Sequence, residues 1–184
     1  MKRSLVVAIM GILALATPAA SQVHLGFNAG LSQYTGNDFE DAEMGVGFGT
    51  HLLFGKGDTR FGFGGNYARH GEEGFDEKTT TMDLFGILRY MFPGESARFF
   101  IGGQGGFTRV SAEILSISLS ANGFTGGPVL GVQIPLSTLF LELAGDLRYV
   151  KLGDVESEGE TFQDSDSSGM IWGFKLGISI PVGG

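Results

Sequence analysis

The chain has 184 residues, among them 32 glycines, 16 phenylalanines and no cysteine. This length suits one domain, and the glycine content disfavours a helical fold, because each glycine in a helix costs about 1 kcal/mol relative to alanine. The lack of cysteine excludes disulfides and thiol chemistry. The chain carries 20 acidic and 12 basic residues, which argues against nucleic acid as a partner, since phosphate binding needs clustered Lys and Arg.

The first 21 residues have the three-part pattern of a secretory signal peptide. Two basic residues follow Met1, residues 5–15 form an uncharged apolar run, and small residues follow up to Ser21. The apolar run is short for a membrane-spanning helix, which favours a cleaved signal over a retained anchor. We therefore predict a signal peptide over residues 1–21 and a mature domain over residues 22–184. The mature chain would have 10 basic and 20 acidic residues, a formal charge of −10.

The mature chain consists of short segments in which apolar residues alternate with small or polar ones. In residues 140–149, Leu141, Leu143 and Leu147 alternate with charged residues. A β-strand points successive side chains to opposite faces, so this segment would have one apolar and one charged face. Its apolar residues also fit helical spacing, and the segment alone leaves both structures open.

Eight such segments, and the connections between them, favour strands. The segments are residues 23–32, 46–54, 61–68, 82–92, 99–108, 127–134, 140–149 and 170–180. Long connections (33–43, 70–78, 111–123 and 151–168) alternate with short ones (56–59, 93–96 and 136–139). Antiparallel strands joined in this way place all long loops at one end, the pattern of a bacterial outer-membrane barrel. Apolar residues in the third long connection suggest that its strands continue beyond the membrane.

The chain resembles the small outer-membrane barrels of the OmpA/OmpX type over residues 22–182. Local similarities lie in residues 83–92 (DLFGILRYMF), 98–110, 141–149 and 173–180. The resemblance implies an all-β, eight-stranded antiparallel up-and-down transmembrane β-barrel in the bacterial outer membrane, with outer-membrane lipid and the barrel assembly machinery as partners. Members usually end on an aromatic residue that this machinery recognises. This chain ends on Gly184, so either the assembly signal differs or the last strand stops at Ile180.

The face that we expect to point into the barrel combines many glycines with six charged residues. These are Asp83, Arg89, Glu142, Asp146, Arg148 and Lys175. Three acids meet three bases, so we expect a formally neutral interior. Eight strands leave room only for side chains, and buried charges need partners. We predict that the six residues form an ion-paired polar plug. The alternative is a proton or ion path, which would make the chain a narrow, porin-like channel.

We predict no catalytic, cofactor or metal site. His24 and His51 should face inward on neighbouring strands, with His70 at the other end, and a metal site would need three or four ligands. A lipid-modifying enzyme, the enzymatic alternative, would need a serine, a base and an acid that face lipid. A soluble lipid carrier would need an apolar interior, which the inward charges and glycines disfavour.

The long loops are acidic: 14 of the 20 acids lie in residues 33–43, 70–78 and 151–168. Residues 164–169 (DSDSSG) copy half of a calcium-binding loop, but Lys175 stands where its bidentate glutamate should be. We interpret the acids as a solvated rim. Cation bridging between the loops and lipid phosphates is a further hypothesis.

Outward aromatic residues near the strand ends are typical of the girdles that anchor a barrel at the membrane interfaces. They are Phe54, Phe61, Tyr90, Phe92, Phe99, Tyr149 and Trp172. The sequence thus predicts a monomeric, non-enzymatic membrane barrel that serves membrane structure or surface interaction, the latter with an extracellular ligand bound through the long loops.

Overall fold

The computed structural model describes residues 22–36, 43–72, 75–114, 117–157, 160–163 and 167–182, which contain nine β-strands. The strands are β1 (Gln22–Thr35), β2 (Gly45–Gly55), β3 (Thr59–Glu72), β4 (Phe75–Met91), β5 (Arg98–Ile114), β6 (Ile117–Leu136), β7 (Leu139–Ser157), β8 (Glu160–Gln163) and β9 (Ser168–Val182). Three predicted features lie outside the described residues: the signal peptide, residues 164–166 of the calcium-loop-like segment, and Gly184. No helix in the described part is long and apolar enough to cross a membrane.

Eight of the strands close into an antiparallel barrel. Neighbours in sequence pair from β1 to β7, and β9 pairs with both β7 and β1. The four-residue β8 pairs with the end of β7 at Val155, Glu156 and Ser157. Closure leaves none of these eight strands with an unpaired edge. In hydrocarbon, each unsatisfied backbone group at such an edge would cost several kcal/mol. The predicted eight-stranded up-and-down barrel is confirmed.

Most of the predicted long loops are shorter than expected, because the strands continue into them. β3 and β4 continue through most of residues 70–78, and β7 extends to Ser157 inside the predicted loop 151–168. The prediction of loops there was wrong, since backbone pairing with a neighbour forms a strand even where the residues are polar. The predicted extension within residues 111–123 is confirmed by β5 and β6. As a result β4 to β7 have 17 to 20 residues, whereas the other barrel strands have 11 to 15.

The outer surface of the barrel is apolar, as the alternation predicts. Leu84 is 71% exposed, and Phe99 and Phe107 are each 64% exposed. None of the seven aromatic residues predicted at the strand ends is buried. Neighbouring rings form contacts at the short-turn end, for example Tyr90 and Phe92 at 5.2 Å between centroids. A surface this rich in exposed apolar side chains fits lipid rather than water.

Inside the barrel, glycines make room for large side chains from the next strand. A Cβ on Gly131 would lie 2.8 Å from Cε1 of Phe100, and one on Gly26 would lie 2.8 Å from Cδ2 of His51. Both distances are shorter than an ordinary van der Waals contact. The inward glycines therefore leave room for these rings, which pack into the space that side chains at those positions would otherwise occupy.

A valine at Gly131 should therefore destabilise the barrel, whereas a valine at the lipid-facing Gly103 should not. The Cβ of residue 103 would have its nearest neighbour at 3.9 Å, so Gly103→Val is a matched control. We expect Gly131→Val to lower the free energy of unfolding by about 1–3 kcal/mol through overpacking, measured by urea unfolding in lipid vesicles with Trp172 fluorescence. Equal losses in the two variants would contradict the crowding at Gly131, where the carbonyl oxygen of Leu143 and the ring of Phe100 both lie close to the added Cβ.

Candidate functional site: the charged barrel interior

The structure places the side chains of all six residues of the predicted plug inside the barrel. Five of them are almost fully buried, and the side chain of Lys175 is 17% exposed. Together with Arg60 and the neutral Gln133, they form two groups along the barrel axis, one nearer the long-loop end and one nearer the short turns. We refer to these as the outer cluster (Asp83, Asp146, Arg148 and Lys175) and the inner cluster (Arg60, Arg89, Gln133 and Glu142).

The outer cluster joins β4, β7 and β9 across the interior. Arg148 donates from Nε to Oδ2 of Asp146 at 2.7 Å and from Nη1 to Oδ2 of Asp83 at 2.5 Å. Lys175 Nζ lies 2.9 Å from Oδ1 of Asp146. Two acids are thus neutralised by two bases, and Arg148 contacts both acids, so its removal would leave both short of a partner.

The inner cluster is centred on the carboxylate of Glu142. Arg89 Nη1 donates to Oε1 of Glu142 at 2.9 Å, and Gln133 Nε2 donates to Oε2 at 2.8 Å. Arg60 Nη1 in turn donates to Oε1 of Gln133 at 3.5 Å. The guanidinium of Arg89 also lies over the ring of Phe100, 4.5 Å from its centroid, in a cation–π contact.

The predicted neutrality of the interior is wrong, because Arg60, which was not among the predicted inward charges, also lies inside the barrel. This residue is only 3% exposed, so with the partly exposed Lys175 the interior formed by the described residues holds four bases and three acids. Its described polar contact is the long one to the neutral Gln133, and no ion pair involves it within the described residues. The signal was present: the inward alternation of Gly62, Gly64 and Asn66 reaches residue 60 when it is extended by one step toward the N-terminus.

Apolar side chains lie on both sides of the ion pairs. At the long-loop end, Tyr34, Val150, Leu152 and Ile171 pack together inside the barrel. At the short-turn end a second cluster contains Met91 and Phe100, among others. These apolar layers were not predicted from the sequence. They keep bulk water away from the charges, and this exclusion strengthens correct ion pairs and raises the cost of unpaired ones.

Little open space remains between the buried side chains. Among the described residues, two voids between these side chains measure about 20 and 30 Å³. Each void is large enough for about one water molecule. Polar atoms close to the voids, such as Nδ2 of Asn66 and Nε2 of Gln104, have no hydrogen-bond partner within the described protein, so the walls are polar enough to bind such waters.

The three histidines face the interior rather than lipid. Nδ1 of His24 lies 3.5 Å from the hydroxyl of Ser179, and both residues are at most 1% exposed. His51 lies beside Glu142 at 3.9 Å, and His70 lies beside Tyr34, with ring centroids 5.0 Å apart. Within the described residues no group of three or more His, Asp or Glu side chains could hold a metal ion.

Solved structures with the same fold are bacterial outer-membrane proteins. Neisserial surface protein A (NspA) from Neisseria is 13% identical with a TM-score of 0.67, and the alignment covers 89% of this chain and 99% of that one. A major outer-membrane protein of Thermus thermophilus is 15% identical (TM-score 0.52; 87% and 99% covered). Ail, the attachment invasion locus protein of Yersinia pestis, solved with the heparin analogue sucrose octasulfate, is 15% identical (TM-score 0.50; 88% and 97% covered).

No protein-family model and no curated protein sequence matches the chain. The structural likeness therefore identifies the fold, which is that of the small outer-membrane barrels predicted from the sequence. Together with the apolar outer surface, this fold places the chain in the bacterial outer membrane.

The two clusters predict opposite outcomes for the removal of two buried arginines. Arg148→Gln leaves Asp83 and Asp146 without their shared partner and should lower the free energy of unfolding by about 3–5 kcal/mol. Arg60→Met removes a buried charge that has no described ion pair, and stability should stay the same or rise. Urea unfolding of the refolded protein would measure both variants. A large loss of stability in Arg60→Met would contradict the expectation for Arg60 and would show that its contacts, such as the one with Gln133, stabilise the barrel.

Proposed function

We propose that this outer-membrane β-barrel is a non-enzymatic monomer whose interior is plugged and whose role depends on its outer surface and loops. It serves membrane structure or binds a partner outside the cell. The observation that carries the proposal is the filled interior of the described barrel: two ion-paired clusters lie between apolar layers, and two voids beside them measure only about 20 and 30 Å³. A protein with such an interior has its outer surface and its loops available for function.

The filled interior supports the plug over the narrow channel. Arg89 and Arg148 each contact an acid on another strand, so both arginines tie opposite walls together. Continuous conduction needs a path of sites that an ion can enter and leave. Voids with room for about one water molecule do not supply such a path while the ion pairs hold.

The position of Ser179 and His24 supports a non-enzymatic role. These two residues form the serine–histidine contact that a hydrolase would need, yet both are buried inside the barrel. A lipid substrate approaches from the outside, and a nucleophile must be within reach of the reacting atom. We therefore assign this contact to the packing of the interior.

Surface interaction is supported by the charge of the long-loop end. Three of the four long connections contain 14 of the 20 acids, and the described Glu43 and Glu156 are exposed. Such a rim attracts cationic surfaces and repels polyanions. Ail was crystallised with a heparin analogue, which is a polyanion, whereas we propose a partner of the opposite charge for this chain.

If the interior is plugged, the protein should not conduct ions. We expect the refolded protein in a planar lipid bilayer to give no stable current steps above the leak of the bare membrane, because the ion pairs and rings occupy the path. A heat-dependent shift in gel migration would verify that the inserted protein is folded. Reproducible current steps from folded protein would contradict the plug and favour the channel.

If the loop acids bind a cationic partner, their neutralisation should weaken binding. We would replace the six acids of residues 151–168 by their amides and measure adhesion of expressing cells to a polylysine-coated surface at low salt. We expect reduced adhesion that rising salt abolishes, since exposed charges are screened. Asp58→Asn with Glu95→Gln at the short-turn end is the control and should adhere normally. Equal adhesion of both variants would contradict a role for the loop charge.

A further inference from the structure

One part of the lipid-facing wall combines an apolar groove with a cation directly above it. The groove lies on the outside of β4, β5 and β6 near the long-loop end, and it is lined by the side chains of Met82, Leu84, Phe107 and Phe124. Leu84, Phe107 and Phe124 occupy paired positions on the three strands. The rings of Phe107 and Phe124 are 4.9 Å apart between centroids, so they form a continuous apolar floor.

Arg109 marks the upper end of this groove. It is two residues after Phe107 on β5, faces outward, and pairs with Met82 on one side and Asn122 on the other. The next outward positions on these strands, Thr80, Ser111 and Ser120, are all polar. The change from apolar to polar side chains places the guanidinium of Arg109 at the boundary between hydrocarbon and lipid headgroups.

The guanidinium of Arg109 has donors available for a ligand. Its described hydrogen bond runs from Nη2 to the hydroxyl of Ser120 at 3.2 Å, and no ion pair involves it within the described residues. Arginine carries five N–H donors. Such a group next to anionic headgroups forms short, charge-assisted hydrogen bonds, and the planar fork of arginine suits the oxygens of a phosphate.

Two other cations face outward close to the same boundary. Arg69 on β3 and Lys151 on β7 are exposed, so together with Arg109 they place a cation on every second strand from β3 to β7. Arg69 lies between Val46 and Thr80, outside the groove. Of the three cations, Arg109 lines the groove. Its position therefore favours a specific site over a general attraction between cations and anionic lipid.

We propose that this wall binds one phosphorylated glycolipid of the outer leaflet, with a phosphate on Arg109 and an acyl chain along Met82, Leu84, Phe107 and Phe124. Asn122 and Ser120, which lie beside Arg109, supply further hydrogen-bonding groups for the headgroup. The apolar floor and the cation recognise the two chemically different parts of the same molecule. The site is independent of the plug and of the loop acids, because its residues face lipid.

Binding can be measured by native mass spectrometry of the refolded protein in detergent, titrated with bisphosphorylated lipid A. We expect Arg109→Gln to weaken binding about tenfold, the effect of losing one or two charge-assisted hydrogen bonds. Arg69→Gln removes the same charge from the neighbouring wall and should leave the affinity within about twofold of the unmodified protein. Each variant is first tested for folding by its heat-dependent gel shift.

Two further measurements separate the phosphate from the acyl chain. Removing the phosphates from lipid A should weaken its binding to the unmodified protein by about as much as Arg109→Gln weakens the binding of bisphosphorylated lipid A. Phe107→Ala should weaken the binding of both lipids to a similar extent, because it removes part of the apolar floor. Unchanged binding by Arg109→Gln would overturn the proposal, as would equal losses in Arg109→Gln and Arg69→Gln, which would indicate only a general attraction between cations and lipid.

Discussion

The structure depends on the need to pair every backbone N–H and C=O group inside a membrane. A sheet in hydrocarbon can meet this need only by closing on itself, and this chain does so where β9 pairs with β1 and β6 pairs with β7. Closure then fixes which face of every strand is inside. A shift of one residue in any pairing would turn the apolar side chains inward and the charged ones toward lipid, so the alternation along the chain and the register between strands support each other.

The number of strands sets the width of the interior, and the interior residues are matched to that width. Glycines lie next to the rings of His51 and Phe100, so large and small side chains alternate around the wall. The charges that remain are held by partners from other strands, between apolar layers that exclude water. Arg60 departs from this arrangement, because its described contact is the amide of Gln133 rather than an acid. Its position near the short-turn end brings it close to the mouth of the barrel, where water is near.

The outer surface is divided into zones along the barrel axis, and each zone matches the medium beside it. Aromatic rings line the short-turn end, apolar side chains cover the middle, and Arg69 and Arg109 lie at the opposite boundary. Acids dominate the sequence beyond that boundary. Cations at the level of lipid phosphates and anions in the water above them are electrostatically favourable together, since each sign of charge faces the groups that stabilise it. The proposed lipid site and the proposed surface interaction therefore occupy different zones and do not compete.

The sequence by itself determined the number of barrel strands, the direction of most side chains, six inward charged residues (though not Arg60) and the outer-membrane fold, because period-two alternation is a local property of the chain. It did not determine how far β3, β4 and β7 continue, since pairing beyond the membrane tolerates residues of any polarity. Only the tertiary structure decided which charges meet. Arg148 and Asp83 are 65 residues apart in sequence, and Arg89 and Glu142 are 53 apart. Their contacts depend on the stagger of strands around a closed barrel, which no local pattern encodes.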